Sequence, residues 1–400
     1  MHRPGELTAA DRAAWSALQR ARPPAEAPQL HSPFLAPEFT LAMGACRRDV
    51  RIAVVREDGV PTAFFPHQRT PAGVGRAVGL GVSDCQGLVH GPGFTGEAGE
   101  LLRGAGLALW EFDHLAADQP LFADGAGARF GSPVMDVADG WESYLAGLRE
   151  RSPKFTRTTL AKERRLDRDL GPLRYVHDER DPELLRVLMA WKSAQYRRTG
   201  RGDRFAKPWI TRLVEHLFHT GPGEVRGLLS VLYAGERPVA AHFGLRSAAV
   251  LACWFPAYDP AYAKYSPGLV LHLAMARGAA EDGMTLLDLG RGRKEYKDSL
   301  KTRELTVAEG WVTRRHPVAF GHPDAAGTGP RAAQHRAGAA GAVPSRRRPA
   351  ETDGPIPYRR LRNSSLRHTG RAFTKRMRHS AELIRLNTEK QNLILVSAIK

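Results

Sequence analysis

Residues 225–259 read VRGLLSVLYAGERPVAAHFGLRSAAVLACWFPAYD, and the fold turns on them. They hold three runs rich in branched and aromatic residues, Val225 to Tyr233, Pro238 to Leu245 and Ala249 to Phe255, each of strand length. Tyr265-Ser266-Pro267-Gly268 then opens a helix running to about Asp282, Thr285 to Leu289 returns as a strand, and Tyr296 begins a further helical piece. Upstream, a strand over Leu173 to His177 leads into helices over Pro182 to Arg198 and Trp209 to Phe218. Strand, helix, helix, three antiparallel strands, helix, strand is a specific order, and it predicts a mixed α/β layer structure of the α+β kind. The first 150 residues predict a helix over Ala9 to Arg20, the Pro-rich linker Ala21 to Pro28 and a short helix after Pro37. A hairpin of Arg51 to Arg56 and Thr62 to Phe65 around Glu57-Asp58-Gly59 follows. Strands near Arg76 to Leu80 and Trp110 to Leu115 flank a helix over Glu97 to Leu107, and Trp141 to Leu170 reads as one basic helical stretch.

A chain of 400 residues with 42% hydrophobic content buries two or three cores, which excludes a single small binding module. No run approaches the ~18 apolar residues of a membrane span. Met1 to Arg20 has no signal-peptide apolar run, so a cytoplasmic location is expected. Cys46, Cys85 and Cys253 are too few and too scattered for zinc ligation or a disulfide framework, and no metal is expected. Of the formal charge of +17, residues 317–400 contribute +11, with 16 Lys and Arg against 5 Asp and Glu. That segment is rich in Gly, Ala, Pro and Arg and is expected to be disordered. The remainder is only mildly basic, as suits an enzyme with a polyanionic cofactor. A Walker loop, a His-Glu-x-x-His pair and a Gly-x-Ser-x-Gly elbow are all missing from the sequence, which argues against NTPase, metalloprotease and serine-hydrolase readings.

Four features carry candidate chemistry. Ser266 before Pro267 and Gly268 predicts a capped helix start whose outward amides suit a pyrophosphate. The strand end Asp288-Leu289-Gly290-Arg291-Gly292-Arg293-Lys294-Glu295-Tyr296-Lys297 joins paired glycines to cations for phosphate and a tyrosine able to protonate a leaving thiolate. His242 on a strand and Asp259 after the next are candidates for taking an acceptor's proton, although a strand histidine is more often a core residue and Asp259-Pro260 is equally a turn starter. The basic run Lys154 to Arg168 places several cations on one helical face.

Ser32-Pro33-Phe34, Ser83-Asp84-Cys85-Gln86-Gly87, Trp254 to Asp259, Ser266-Pro267-Gly268 and Asp288 to Lys297 occur in an order that resembles one family. It is the acetyltransferases of cellulose and exopolysaccharide biosynthesis, within the GNAT superfamily and related to the Fem-type peptidyltransferases. The similarity runs from about Ser32 to about Val312, departing at Cys85, where an aromatic residue is expected, and in the basic tail. The resemblance implies two tandem GNAT-like domains with mixed central sheets, residues 32–150 and 151–316, after an entry segment 1–31 and before the tail 317–400. It implies transfer of an acetyl or other acyl group from acyl-CoA to an amine or hydroxyl of a small-molecule or saccharide acceptor. Pyrophosphate would lie at Ser266 and Gly268, with Gly290, Arg291, Gly292, Arg293 and Lys297 as further cofactor contacts. Tyr296 would protonate the thiolate while His242 or Asp259 assists the acceptor. Two alternatives keep their place: an aminoacyl-tRNA donor, suggested by Lys154 to Arg168 and the basic tail, and a non-catalytic chain binding anionic polymer or nucleic acid through that tail.

Overall fold

The computed structural model describes residues 1–314 apart from 222 and 224, so the tail expected over 317–400 lies outside the described residues. The chain enters through α1 (Ala9–Gln19), where the Thr8 hydroxyl accepts from the Asp11 amide at 3.0 Å and the Asp11 carboxylate accepts from the Thr8 amide at 3.2 Å. This reciprocal cap satisfies two amides the helix would leave orphaned. α2 (Pro37–Cys46) opens on proline, and β1 (Val50–Glu57) turns into β2 (Val60–Arg69) through Asp58 and Gly59 at φ 49° and 82°. Two consecutive left-handed residues make the two-residue turn that matches strand twist, as the Asp-Gly pair predicts. There follow β3 (Val74–Ala77), β4 (Val89–His90), α3 (Ala98–Gly104), β5 (Leu109–Ala116) and β6 (Ala126–Asp136).

The basic stretch after Trp141 is two helices, α4 (Trp141–Arg151) and α5 (Pro153–Leu170). Ser152 stands between them at φ −138° and ψ 60°, pushed out of helical space by the proline that follows it. Next come β7 (Leu173–Val176), α6 (Pro182–Arg198), α7 (Pro208–Phe218), β8 (Arg226–Ala234), β9 (Arg237–Arg246) and β10 (Val250–Tyr258). Then α8 (Pro267–Glu281), β11 (Leu286–Asp288), α9 (Glu295–Leu300) and β12 (Arg303–Thr313) complete the described fold.

All twelve strands of the described residues join one mixed sheet, in the order β1-β2-β3-β5-β12-β6-β11-β10-β9-β8-β7 with β4 on β2. The order is nearly symmetric about its centre. β1, β2 and β3 are antiparallel, and β5 lies parallel to β3; β8, β9 and β10 are antiparallel, and β11 lies parallel to β10. Each parallel strand follows a crossover helix, α3 or α8, as parallel neighbours require. The last strand of each half sits with the other: β12 pairs β5, β6 pairs β11, and β12 and β6 pair each other at the centre. The result is a doubled α/β architecture with exchanged strands.

α6, α7, α1 and α2 cover one face of the sheet over a core containing Trp15, Phe39, Leu188, Val214 and Phe243. α4, α5 and α8 cover the other around Leu148, Leu166, Leu271 and Met275, and α3 closes a third cluster around Phe65 and Trp110. The two halves meet where the Trp254 indole donates to Val82 O at 2.6 Å and packs edge-on against Phe34 at 5.5 Å. No helix among the described residues is long and apolar enough to cross a membrane.

Candidate active site

β10 and β11 pair over three residues only, Val250 with Leu286, Leu251 with Leu287 and Ala252 with Asp288. β11 then ends while β10 runs on to Tyr258, so among the described residues no strand covers that flank of β10 beyond Ala252. Just there the β9–β10 register shifts between Ala252 and Phe255, a bulge that re-aims Cys253 and Trp254. His242, fully buried on β9, accepts the Trp254 amide on Nε2 at 3.2 Å. The proton is therefore on Nδ1, which has no partner among the described residues. Burial, with His272 and Lys192 nearby, holds this imidazole neutral, far below its usual pKa. Contrary to the sequence expectation, His242 is not free to act as a base: its one lone pair is committed to the bulge. Asp259 is also engaged, accepting from the Ala261 amide at 2.9 Å to start the 3-10 turn Pro260–Tyr265.

At the mouth of the wedge, Ser266 differs from the predicted side-chain cap. It sits at φ +50°, and its hydroxyl accepts from Lys162 Nζ at 2.7 Å instead of from an amide of α8. α5 thus delivers an ammonium to the positive end of a 15-residue helix, beside the side-chain-free Gly268. One turn on, His272 donates from Nδ1 to Gly268 O at 2.5 Å, and its ring lies 5.5 Å from that of Tyr296. Burial lowers His272 to about 4, so it is neutral, and raises Tyr296 to about 12, with the Cys253 thiol adding to the rise. Tyr296 therefore keeps its proton at neutral pH.

The turn from β11 to α9 uses Gly290 at φ 73° and Gly292 at φ 111°, conformations that side chains disfavour. Asp288 accepts from the Ser132 hydroxyl at 2.7 Å and the Gly290 amide at 2.9 Å. Lys297, 7% exposed, donates to Gly290 O at 2.8 Å. Arg291 donates to Asp113 O and to the Glu309 carboxylate and lies 3.6 Å over the Phe130 ring. Both cations thus brace the turn internally, and of the three cations expected to hold phosphate here Arg293 alone is exposed.

The opposite wall is built of side chains that no sequence pattern singles out. Trp254's bond to Val82 O pins the segment carrying Asp84 against β10, and Asp84 Oδ2 lies 3.1 Å from where a side chain on Gly290 would begin. Asp84 faces His114, whose Nε2 is 3.7 Å from Asp84 Oδ1 and whose Nδ1 is 3.0 Å from Asp113 Oδ1. Gln86 braces the group, donating to Asp113 Oδ1 at 2.6 Å and accepting the amides of Asp113 and His114. Burial would lower His114, but the bond and charge of Asp113, with Asp84 behind, keep it above its usual value. Burial raises Asp84 against the pull of His114, Arg204 and Lys297. Lys192 of α6 donates to Pro256 O at 2.8 Å, and is lowered to about 7 by burial and by Lys294, Arg201, Arg204 and Lys297. Asp84 stood inside the quoted motif Ser83 to Gly87; nothing local marked Lys192 or Arg204.

Residues 154–298 match the family model described as the acetyltransferase (GNAT) domain. No curated protein sequence matches the chain. Similar solved structures include the C-terminal domain of a putative lysylphosphatidylglycerol synthetase from Agrobacterium fabrum, at 14% identity and TM-score 0.41 over 74% of this chain and 92% of that one. A conserved protein of unknown function from Bacteroides thetaiotaomicron aligns at 11% and 0.48 over 76% and 98%. FemX aligns at 10% and 0.44 over 66% and 87%.

Proposed function

We propose that this chain is an acyl-CoA-dependent acyltransferase acting by direct transfer within a ternary complex. The observation that carries the reading is the wedge between β10 and β11, open beyond Ala252, with Gly268 at the start of α8 against Tyr258 at the end of β10 and Tyr296 beside His272 of the same helix. The free flank of β10 offers an extended backbone for the pantetheine amides, while Gly268 and Lys162 receive the pyrophosphate. The acetyltransferase family match over residues 154–298 supports the same chemistry. When bound, acyl-CoA supplies the activated carbonyl. Tyr296 then gives its proton to the departing thiolate, a role suited to a phenol that burial keeps protonated.

The test is calorimetric titration with acetyl-CoA, longer acyl-CoAs and CoA, followed by thiol release. Tyr296→Phe is expected to bind acyl-CoA as the parent does and to lose about 100-fold in kcat, the lower end for one general acid. Unchanged turnover would remove Tyr296 from the mechanism, and no binding of any CoA species would refute the donor.

A further inference from the structure

A cluster of cations on the α6 side of the sheet has no role in the donor site. Lys192, Arg204 and Arg201 come from α6 and the segment after it, across the sheet from the α8 face that receives the pyrophosphate. Together with Lys294 they act on one another electrostatically. Among the described residues, no acidic side chain forms an ion pair with Lys192, Arg201, Arg204 or Lys294, whereas Arg197, two positions from the end of the same helix region, is paired with Asp203. Gathering like charges where three of the four are partly buried is unfavourable unless an anion joins them.

Among the described residues, one carboxylate in the same field is uncommitted, Asp84. It makes no hydrogen bond closer than the 3.7 Å approach of His114, its side chain is 24% exposed, and its neighbours are Arg204 and Lys297. Its fellow carboxylates are all spent: Asp113 on His114 and Gln86, Asp288 on Ser132 and Gly290, and Asp203 on Ser193, Arg197 and Phe205. An uncommitted carboxylate beside surplus cations is complementary to a molecule bearing an ammonium and an anionic group a few ångströms apart.

We propose that this cluster is the acceptor site, that the acceptor is a primary amine also carrying a carboxylate or phosphate, and that Asp84 pairs with the amine and takes its proton. The inference rests on the acyltransferase reading and adds the substrate class and the base. The amine enters as the ammonium and gives one proton to Asp84. Its nitrogen forms the C–N bond as the C–S bond breaks. Tyr296 protonates the thiolate and is reloaded by the second proton the nitrogen sheds, leaving an amide and free thiol. The anionic group lies on Arg204 and Lys192. His114 is a positioning residue: held by Asp113, it stands 3.7 Å from Asp84 and its protonation favours the charged carboxylate.

The experiment uses matched acceptors: an α-amino acid against its amide, and an amino-sugar phosphate against the free amino sugar. Each is titrated directly and assayed by thiol release with acetyl-CoA. At least one anionic member is expected to exceed its neutral partner tenfold in kcat/KM, and Arg204→Ala should erase that preference by raising KM. Asp84→Asn should lower kcat about 100-fold while leaving acyl-CoA binding intact. His114→Gln should shift the pH profile of kcat where a merely structural change would not. Equal use of neutral and anionic amines, use of neither, or an Asp84→Asn enzyme within twofold of the parent would overturn the proposal. Failure to bind acyl-CoA would instead strike the donor reading, and direct titration of the anionic amines would still decide the acceptor site. The preference of carboxylate over phosphate, or the reverse, identifies the anion.

Discussion

Acidification from pH 7 to pH 5 is expected to destabilise the fold by about 2 kcal/mol through His67 alone. This histidine lies on β2, fully buried, with Nδ1 donating to Phe65 O at 3.1 Å and Nε2 without a partner. Burial lowers its pKa from 6.5 to about 4, and the charges of Arg69 and Arg51 act in the same sense. Protonation therefore favours the unfolded chain. The stability His67 contributes is full above pH 6.5 and is lost as pH falls towards 4. One pKa unit is worth about 1.4 kcal/mol, so the whole shift amounts to about 3 kcal/mol, of which roughly 2 is spent by pH 5. Urea unfolding at half-unit pH intervals reads this directly. His67→Leu removes the titrating group, and between pH 6 and pH 4.5 its stability should fall less steeply than the parent's by about 1.2 kcal/mol per pH unit. Other buried groups titrate in both proteins and cancel in the difference. Parallel curves would refute the assignment of a neutral, acid-labile imidazole at this position.

Gly310 sits at the β12 bulge, where an added methyl would strike Gly125 O, and Gly310→Ala should cost about 3 kcal/mol by thermal denaturation. Trp254→Phe keeps the aromatic packing but leaves Val82 O without its donor, and should cost about 2 kcal/mol while increasing hydrogen exchange in residues 82–86. Lys162→Ala should weaken acyl-CoA binding about tenfold, near 1.4 kcal/mol by calorimetry, with a smaller effect at high salt.

The second half of the fold was readable because its strands carry their own signals. Val225 to Tyr233 and Ala249 to Phe255 are buried on both sheet faces, so they appear as near-continuous apolar runs, and Ser266-Pro267-Gly268 marks the start of α8 without ambiguity. β6 and β12 escaped notice for the opposite reason. Each has eleven residues broken by Gly, Pro or charge, and each is held in place by a partner far away in the chain. At the site, Tyr296 and the start of α8 follow from local pattern. The charge on Lys192, the openness of Asp84 and the commitment of His242 to the Trp254 amide arise from tertiary neighbours that no window of sequence contains. Arg291 and Lys297 misled because a cation near paired glycines looks the same whether it awaits a phosphate or braces the turn.

The exchange of β6 and β12 across the centre of the sheet sets an order on synthesis. β5 emerges by residue 116, yet the strand that covers its free edge is not finished until Thr313, about 200 residues later. At roughly 5–20 residues per second, the first half waits about 10–40 s with an unpaired β edge exposed. Glu111 and Asp113 lie on that strand, and charge on a waiting edge discourages pairing with a neighbouring nascent chain. The newborn polypeptide is thus most vulnerable to aggregation in the interval before its final described strand arrives.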